Sequence, residues 1–312
     1  MGTVDLKGGF SPATYAAGAG VMLLAIIQLI TSVFGGSSPQ VIPTLTFTGN
    51  VFEFIGAYLG YFFTTASGLV FFIVTVIFYI TATYFVQKST GTEHETAAVM
   101  RGLLIGIASG MNFILAFNIY GAWFGQTVGL IIGLALFVLG LLGSFKGASQ
   151  NEFYQGVIGW LSWMAPMSWP VLLLGMIFMV ISFPLALIGL AGVDFFKIGG
   201  ASTADASVQK KVFDVDWKTG TFFLVGGIGS NANYAKTAYN MGNVGFIHRN
   251  AQSDHTEHEA GHNLSLFVFG WIVHIVGAID ENVVGYHTQA LTELLAESND
   301  SSGTGAKLLM WA

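Results

Sequence analysis

Through the first two thirds of the chain, hydrophobic positions fall in long unbroken blocks; afterwards they fall in short alternating runs. A helix needs about 20 apolar residues to cross the hydrocarbon core of a bilayer. Tyr15–Phe34 reaches that length and is too long an apolar run for a cleaved leader, so it reads as an uncleaved span. Phe52–Val86 is 35 residues, more than one upright helix requires, and is expected to tilt or break near Thr64-Thr65-Ala66-Ser67-Gly68. Further spans are expected at roughly Ala97–Trp123, Val128–Phe145 and Met167–Phe196. Before the last of these lies Phe153–Trp169, which holds Trp160, Trp163 and Trp169. Tryptophan favours the headgroup level, so this segment is expected to be an interfacial helix.

The pattern changes after residue 196. Gly199–Thr203 reads as a linker. Lys211–Trp217 alternates with period two, Lys218-Thr219-Gly220 reads as a turn and Thr221–Val225 as a returning strand, which together predict a hairpin. Asn243–His248 fits a third short strand, and Thr288–Glu297 fits an amphipathic helix with Leu291, Leu294 and Leu295 on its apolar side. The expected fold is therefore an α-helical multi-pass membrane bundle of about five spans (1–196) followed by a small α+β domain (197–312).

Composition agrees with this division. The chain is 53% hydrophobic and 9% charged, against about 25% charged in soluble domains. Residues 1–193 hold nine charged side chains and the remainder of the chain nineteen. A net charge of −6 offers no basic face for nucleic acid. With no cysteine, any transition metal must be held by His, Asp or Glu. Gly102, Gly106 and Gly110 recur every four residues, as do Gly129 with Gly133 and Gly56 with Gly60. That spacing lets helix backbones approach, within the bundle first and, as a second reading, in a homo- or hetero-oligomer. Asn112 and Asn118 are expected to hydrogen-bond between helices. Lys7, Lys88, Arg101 and Lys146 share one side if the spans alternate, which places the N-terminus in the cytoplasm. Five spans then put the C-terminal domain outside, whereas Lys197, Lys210, Lys211 and Lys218 favour the inside.

Six of the seven histidines lie between residues 248 and 287, and His258-Glu259-Ala260-Gly261-His262 holds two of them four apart. Residues four apart share one face of a helix. His258 and His262 can therefore offer two imidazoles to one zinc ion, with Glu259 beside them in reach of a water. Chance occurrence of this pattern at this composition is about 0.005 per chain, which favours a site over a solvated helix face. A third ligand is still needed. Glu281, with eighteen residues between it and His262, is a candidate, and Asp280, His287 and Glu293 are its rivals. His274 lies twelve residues past His262, about 120° around an unbroken helix, and is expected to pack elsewhere. Glu293 and Glu297 read by default as a solvated face.

The pattern His258-Glu259-x-x-His262-x18-Glu281 resembles the gluzincin branch of the zincin metallopeptidases. The resemblance implies His258, His262 and Glu281 as zinc ligands and Glu259 as general base, on a zincin-like fold. Read from the residues themselves, His255, Asp254 and Glu257 are equal candidates to support a ligating imidazole, and Tyr286 and His287 are candidates to stabilise an oxyanion. The metzincin branch fits less well, because Ser265 and Val268 stand where it needs Gly and His. The C-terminal stretch also resembles bacterial membrane proteins that carry His-Glu-x-Gly-His near their ends, which implies a bacterial inner membrane. The expected activity is that of a membrane-anchored zinc metallopeptidase acting on a peptide or protein. The alternative is a non-catalytic structural or assembly subunit among partner membrane subunits. Ionisable residues are almost absent from the spans, which argues against a transporter.

Overall fold

A computed structural model describes residues 51–88, 95–144, 148, 151–190, 212–227, 238–247, 253–281 and 291–297. The expected span Tyr15–Phe34, the linker Gly199–Thr203, the His255 side chain, Tyr286 and His287 lie outside the described residues.

The long apolar stretch breaks where expected. Helix α1 (Val51–Thr64) and helix α2 (Ala66–Gln87) are separated by Thr65, whose backbone is extended at φ −100° and ψ 146°. Thr65 Oγ1 accepts from the Gly68 amide at 3.1 Å and donates to the Tyr61 carbonyl at 2.7 Å, capping α2 and closing α1 together. Helix α3 (Glu95–Phe124) has 30 residues, long enough to cross a bilayer with some tilt. It returns through Gly125, whose φ of 96° suits glycine, into α4 (Gln126–Leu142). The two helices approach at their glycines: a Cβ on Gly129 would sit 2.6 Å from the Phe117 carbonyl, and one on Gly133 3.0 Å from the Phe113 carbonyl. The small-residue spacing in α4 thus serves packing within this chain.

Helix α5 (Glu152–Leu161), capped by Asn151, is short, in place of a further pass. A 3-10 turn at Pro166–Ser168 then leads into α6 (Trp169–Leu190). Asn112 Oδ1 in α3 accepts from the Met167 amide of that turn at 2.9 Å, and Tyr58 in α1 donates to the Pro166 carbonyl at 2.7 Å. Asn118 instead donates to Ile114 of its own helix.

The sheet has four strands, β1 (Phe213–Asp216), β2 (Thr221–Val225), β3 (Ala238–Met241) and β4 (Val244–Ile247), in the order β1-β2-β4-β3. The expected hairpin is β1–β2, with Phe213 opposite Leu224 and Asp216 opposite Thr221. The expected third strand is β4, which runs parallel to β2 and pairs Phe222 with Val244. β3, which the sequence reading lacks, pairs antiparallel to β4 and forms one edge.

Helix α7 (Ser253–Ile279) is broken at Gly270, where φ 79° and ψ 172° interrupt the helix. A Cβ there would meet Met167 Cε at 2.9 Å, so both conformation and space select glycine. Helix α8 (Leu291–Glu297) follows. Leu264, Phe267, Val268 and Val273 of α7 and Leu291 and Leu295 of α8 share one hydrophobic core with Tyr79 of α2 and Leu104 of α3. Among the described residues four helical segments are long and apolar enough to cross a membrane by length and composition: Gly68–Gln87, Thr96–Phe124, Pro166–Ile188 and Thr256–Ile279, the last interrupted at Gly270. The chain thus has the character of an integral membrane protein, a helical bundle with a small sheet region attached.

Candidate metal centre

The first limb of α7 carries His258, Glu259 and His262. At a spacing of four, the two imidazoles sit on one face with centroids 5.0 Å apart and ring planes 82° to one another. The third donor comes from α8. Glu293 Oε1 lies 3.2 Å from His262 Nε2, and Glu293 Oε2 lies 3.3 Å from His258 Nε2. The donor atoms of all three residues lie within 4.8 Å of one another.

Two explanations compete for this spacing. A direct charge-assisted hydrogen bond between imidazole and carboxylate is about 2.7–2.9 Å long. Two donors each about 2.05 Å from a common zinc at the tetrahedral angle are about 3.3 Å apart. Each imidazole faces its own carboxylate oxygen, as in a long imidazole–carboxylate pair, and the three groups also lie close enough together to hold a metal ion.

The side chains of His258, His262 and Glu293 are 18%, 11% and 12% exposed. Burial by itself raises the Glu293 carboxyl, but the facing His262 and His258 imidazoles outweigh it and hold the group well below the usual carboxylate range. That lowering comes from imidazoles carrying a proton, a form that cannot bind metal, so the ion pair and a bound metal are alternative states of the same three side chains.

Each donor is held by its own packing. α8 is only seven residues long and has little stability of its own. Leu291 and Leu295 anchor it in the core, and Thr292 presses against Gly277 of the second limb of α7 so closely that a Cβ on Gly277 would overlap it. The first limb is held by a buried network beside His262. Asn263 Nδ2 donates to the Thr219 carbonyl at 3.0 Å and to Thr221 Oγ1 at 3.1 Å, and its Oδ1 accepts from Ser162 at 2.8 Å. Asn243 Nδ2, in the β3–β4 turn, donates to the Gly159 carbonyl of α5 at 3.0 Å and to the Gly220 carbonyl of the hairpin turn at 3.3 Å. Trp163 Nε1 adds a bond to the Gly220 carbonyl at 2.9 Å, and Trp160 Nε1 one to Trp217 at 3.0 Å. The tryptophans of the expected interfacial segment thus clamp the hairpin turn. Asn240 of β3 donates through Nδ2 to the Glu259 carbonyl at 3.0 Å, which sets β3 alongside the helix. Glu259 itself is 4% exposed.

The structure brings together His258, His262 and Glu293, with Glu259 adjoining them, and leaves Glu281 outside the group. Of the candidates for a third ligand, Glu293 is the one that the structure places with the two imidazoles, and not the Glu281 implied by the gluzincin-like spacing. The reason is the break at Gly270. Twelve residues of unbroken helix would separate His262 and His274 by about 18 Å. Their ring centroids are instead 6.0 Å apart, so the second limb turns back toward the site. Glu281 lies seven residues further along that limb, about 10 Å past His274. Asp280, another rival, accepts from Tyr79 of α2 at 3.0 Å. His274, expected elsewhere, adjoins the centre; the signal that could have placed it is the glycine inside the helical pattern. Comparison of the chain with family models, with curated proteins and with solved structures gives no match in any of the three.

Proposed function

We propose that this chain is a membrane-embedded zinc-dependent metallopeptidase whose ligands are His258, His262 and Glu293 and whose general base is Glu259. The observation that supports the reading is the convergence of His258, His262 and Glu293, which each bring one donor atom within 4.8 Å of the others. Three protein donors leave one position of a tetrahedral site for a non-protein ligand, the arrangement of catalytic zinc sites. Zinc, when bound, supplies the Lewis acid that polarises a carbonyl and acidifies water. Glu259 follows His258 on the same helix turn and takes the proton of the attacking water. The hydroxyl adds to the peptide carbonyl carbon, the C–N bond breaks, and Glu259 passes its proton to the leaving amine. Strand β3, an edge of the sheet fixed beside Glu259 by Asn240, offers backbone pairing to an extended peptide.

Glu259→Gln tests the mechanism. The variant is expected to retain about one zinc per chain by elemental mass spectrometry and to lose about 1,000-fold or more in cleavage of a quenched peptide library. Equal cleavage by the variant and the original chain would sink the reading. The burial of the donor side chains favours a second reading, a zinc-stapled structural subunit. Zinc retention without cleavage by the unaltered chain, in lipid as in detergent, supports that alternative.

A further inference from the structure

Strand β2 runs alongside α6. Phe222, near its start, meets Trp163, just before α6, at a centroid distance of 5.0 Å. Gly227, beyond its end, packs against Ser182 and Ala186, far along α6. Strand and helix therefore run in the same direction, and the turn Lys218-Thr219-Gly220 stands at the end where α6 begins. Trp169, the first residue of α6, stacks on Trp123 of α3 at 6.2 Å with ring planes 9° apart, so α3 ends at that level too. If α6 crosses a bilayer, one headgroup layer lies at this end of the molecule.

The side chains here are distributed inside out for a protein in water. Helix α5 buries Gln155 and leaves Phe153 81% exposed. The hairpin turn buries Thr219, and Trp217 beside it is 73% exposed. Phe153 and Trp160 are seven residues apart, two helical turns, and so share one face of α5. Trp160 packs on Trp217 at a centroid distance of 5.7 Å. These aromatic side chains form a collar, and the exposed Lys218–Glu152 ion pair stands beside it at 3.3 Å. From Trp169 to Leu190, α6 itself carries no charged residue. An uncharged span, then tryptophan, then paired charges is the order of groups met on leaving the hydrocarbon core, because the amphipathic indole favours the headgroup level.

We propose that the β1–β2 turn and the outer face of α5 dock in the headgroup layer of a phospholipid bilayer, with Trp217 and Phe153 in contact with lipid. The sheet is then held at the membrane by its own turn as well as by α6. The proposal rests on α6 spanning the bilayer and is independent of the metal reading.

The chain has no cysteine, so a single introduced thiol reports one position. Trp217→Cys, Phe153→Cys and Val180→Cys, all at exposed positions, are labelled in the full chain with an NBD fluorophore and placed in phosphatidylcholine nanodiscs. Quenching is compared between lipids carrying a nitroxide on the headgroup and lipids carrying it at carbon 12 of the acyl chain. Val180 lies eleven residues past Trp169, about 16 Å along the helix and near the middle of a core about 30 Å thick. Labels at 217 and 153 are expected to be quenched at least about twofold more by the headgroup nitroxide, and the label at 180 more by the acyl-chain nitroxide. No quenching at 217 by either lipid places the turn in water or under another protein and overturns the proposal. Equal quenching by both, or stronger quenching by the acyl-chain nitroxide, overturns it as well. A label at 180 that neither lipid quenches removes the span on which the proposal rests, whatever the metal does.

Discussion

The four candidate spans among the described residues, of which Thr256–Ile279 is folded at Gly270, fall into two kinds. Gly68–Gln87 and Pro166–Ile188 have mean hydropathies of 2.4 and 2.7 and are only 22% and 28% buried within the protein. Thr96–Phe124 and Thr256–Ile279 have lower values, 1.8 and 1.6, and are 72% and 67% buried. In a water-soluble protein the most apolar helices go inside; here they face outward. Val180 of α6 is 70% exposed and Ile80 of α2 is 58% exposed, surfaces that suit lipid tails. The inner pair can carry polar groups because protein, and not lipid, satisfies them. Asn112 bonds the Pro166–Ser168 turn, Asn263 bonds the hairpin, and the metal centre lies on the first limb of α7. Hydropathy in this chain thus reports what surrounds a helix, and a lower value marks the helices enclosed by protein.

Substitutions on the two kinds of helix should differ in size. The largest effect is expected at the centre attached to the inner helices. Glu293→Ala should weaken zinc binding by more than the 10- to 100-fold typical of losing an outer hydrogen-bond partner, whereas Glu281→Ala should change it by less than about threefold. Competition with a chromophoric chelator measures both; the reverse ranking would restore the gluzincin-like ligand set. Next comes the α3–α4 contact. Gly129→Ala places a Cβ 2.6 Å from a backbone carbonyl and should destabilise by about 1–3 kcal/mol in detergent unfolding. Gly56→Ala meets nothing within 4 Å and should be neutral or gain up to about 1 kcal/mol from helix propensity. Equal losses at the two sites would show that Gly56 faces a partner helix. The smallest effect is expected on the lipid face. Val180→Leu should shift stability by less than about 0.5 kcal/mol, and a larger loss would place another protein surface there.

Much of this arrangement is legible in the sequence because it is local. Thr65 ends a helix with its own side chain, and Lys218-Thr219-Gly220 turns a hairpin between alternating strands. His258 and His262 need only the helical repeat to meet. The features the sequence reading lacks are set by distant packing. Ala238–Met241 has no strong alternation and becomes a strand through pairing with β4. Glu293 looks like the solvated face of a short helix until Leu291 and Leu295 are buried and turn it inward. The place of His274 depends on one backbone conformation, at Gly270, that the apolar run around it conceals.

The distance along the chain between the centre's donors has a consequence of its own. His258 and Glu293 are about 35 residues apart in sequence, so an ion joining them is a cross-link that closes a long loop. In the polymer description of cross-links, closing a loop of that length removes about 4 kcal/mol of chain entropy from the unfolded ensemble. An ion held there would also fasten the last described helix: a seven-residue segment that could not stand alone would be tied to the middle of the bundle, and withdrawing the ion should free that helix first.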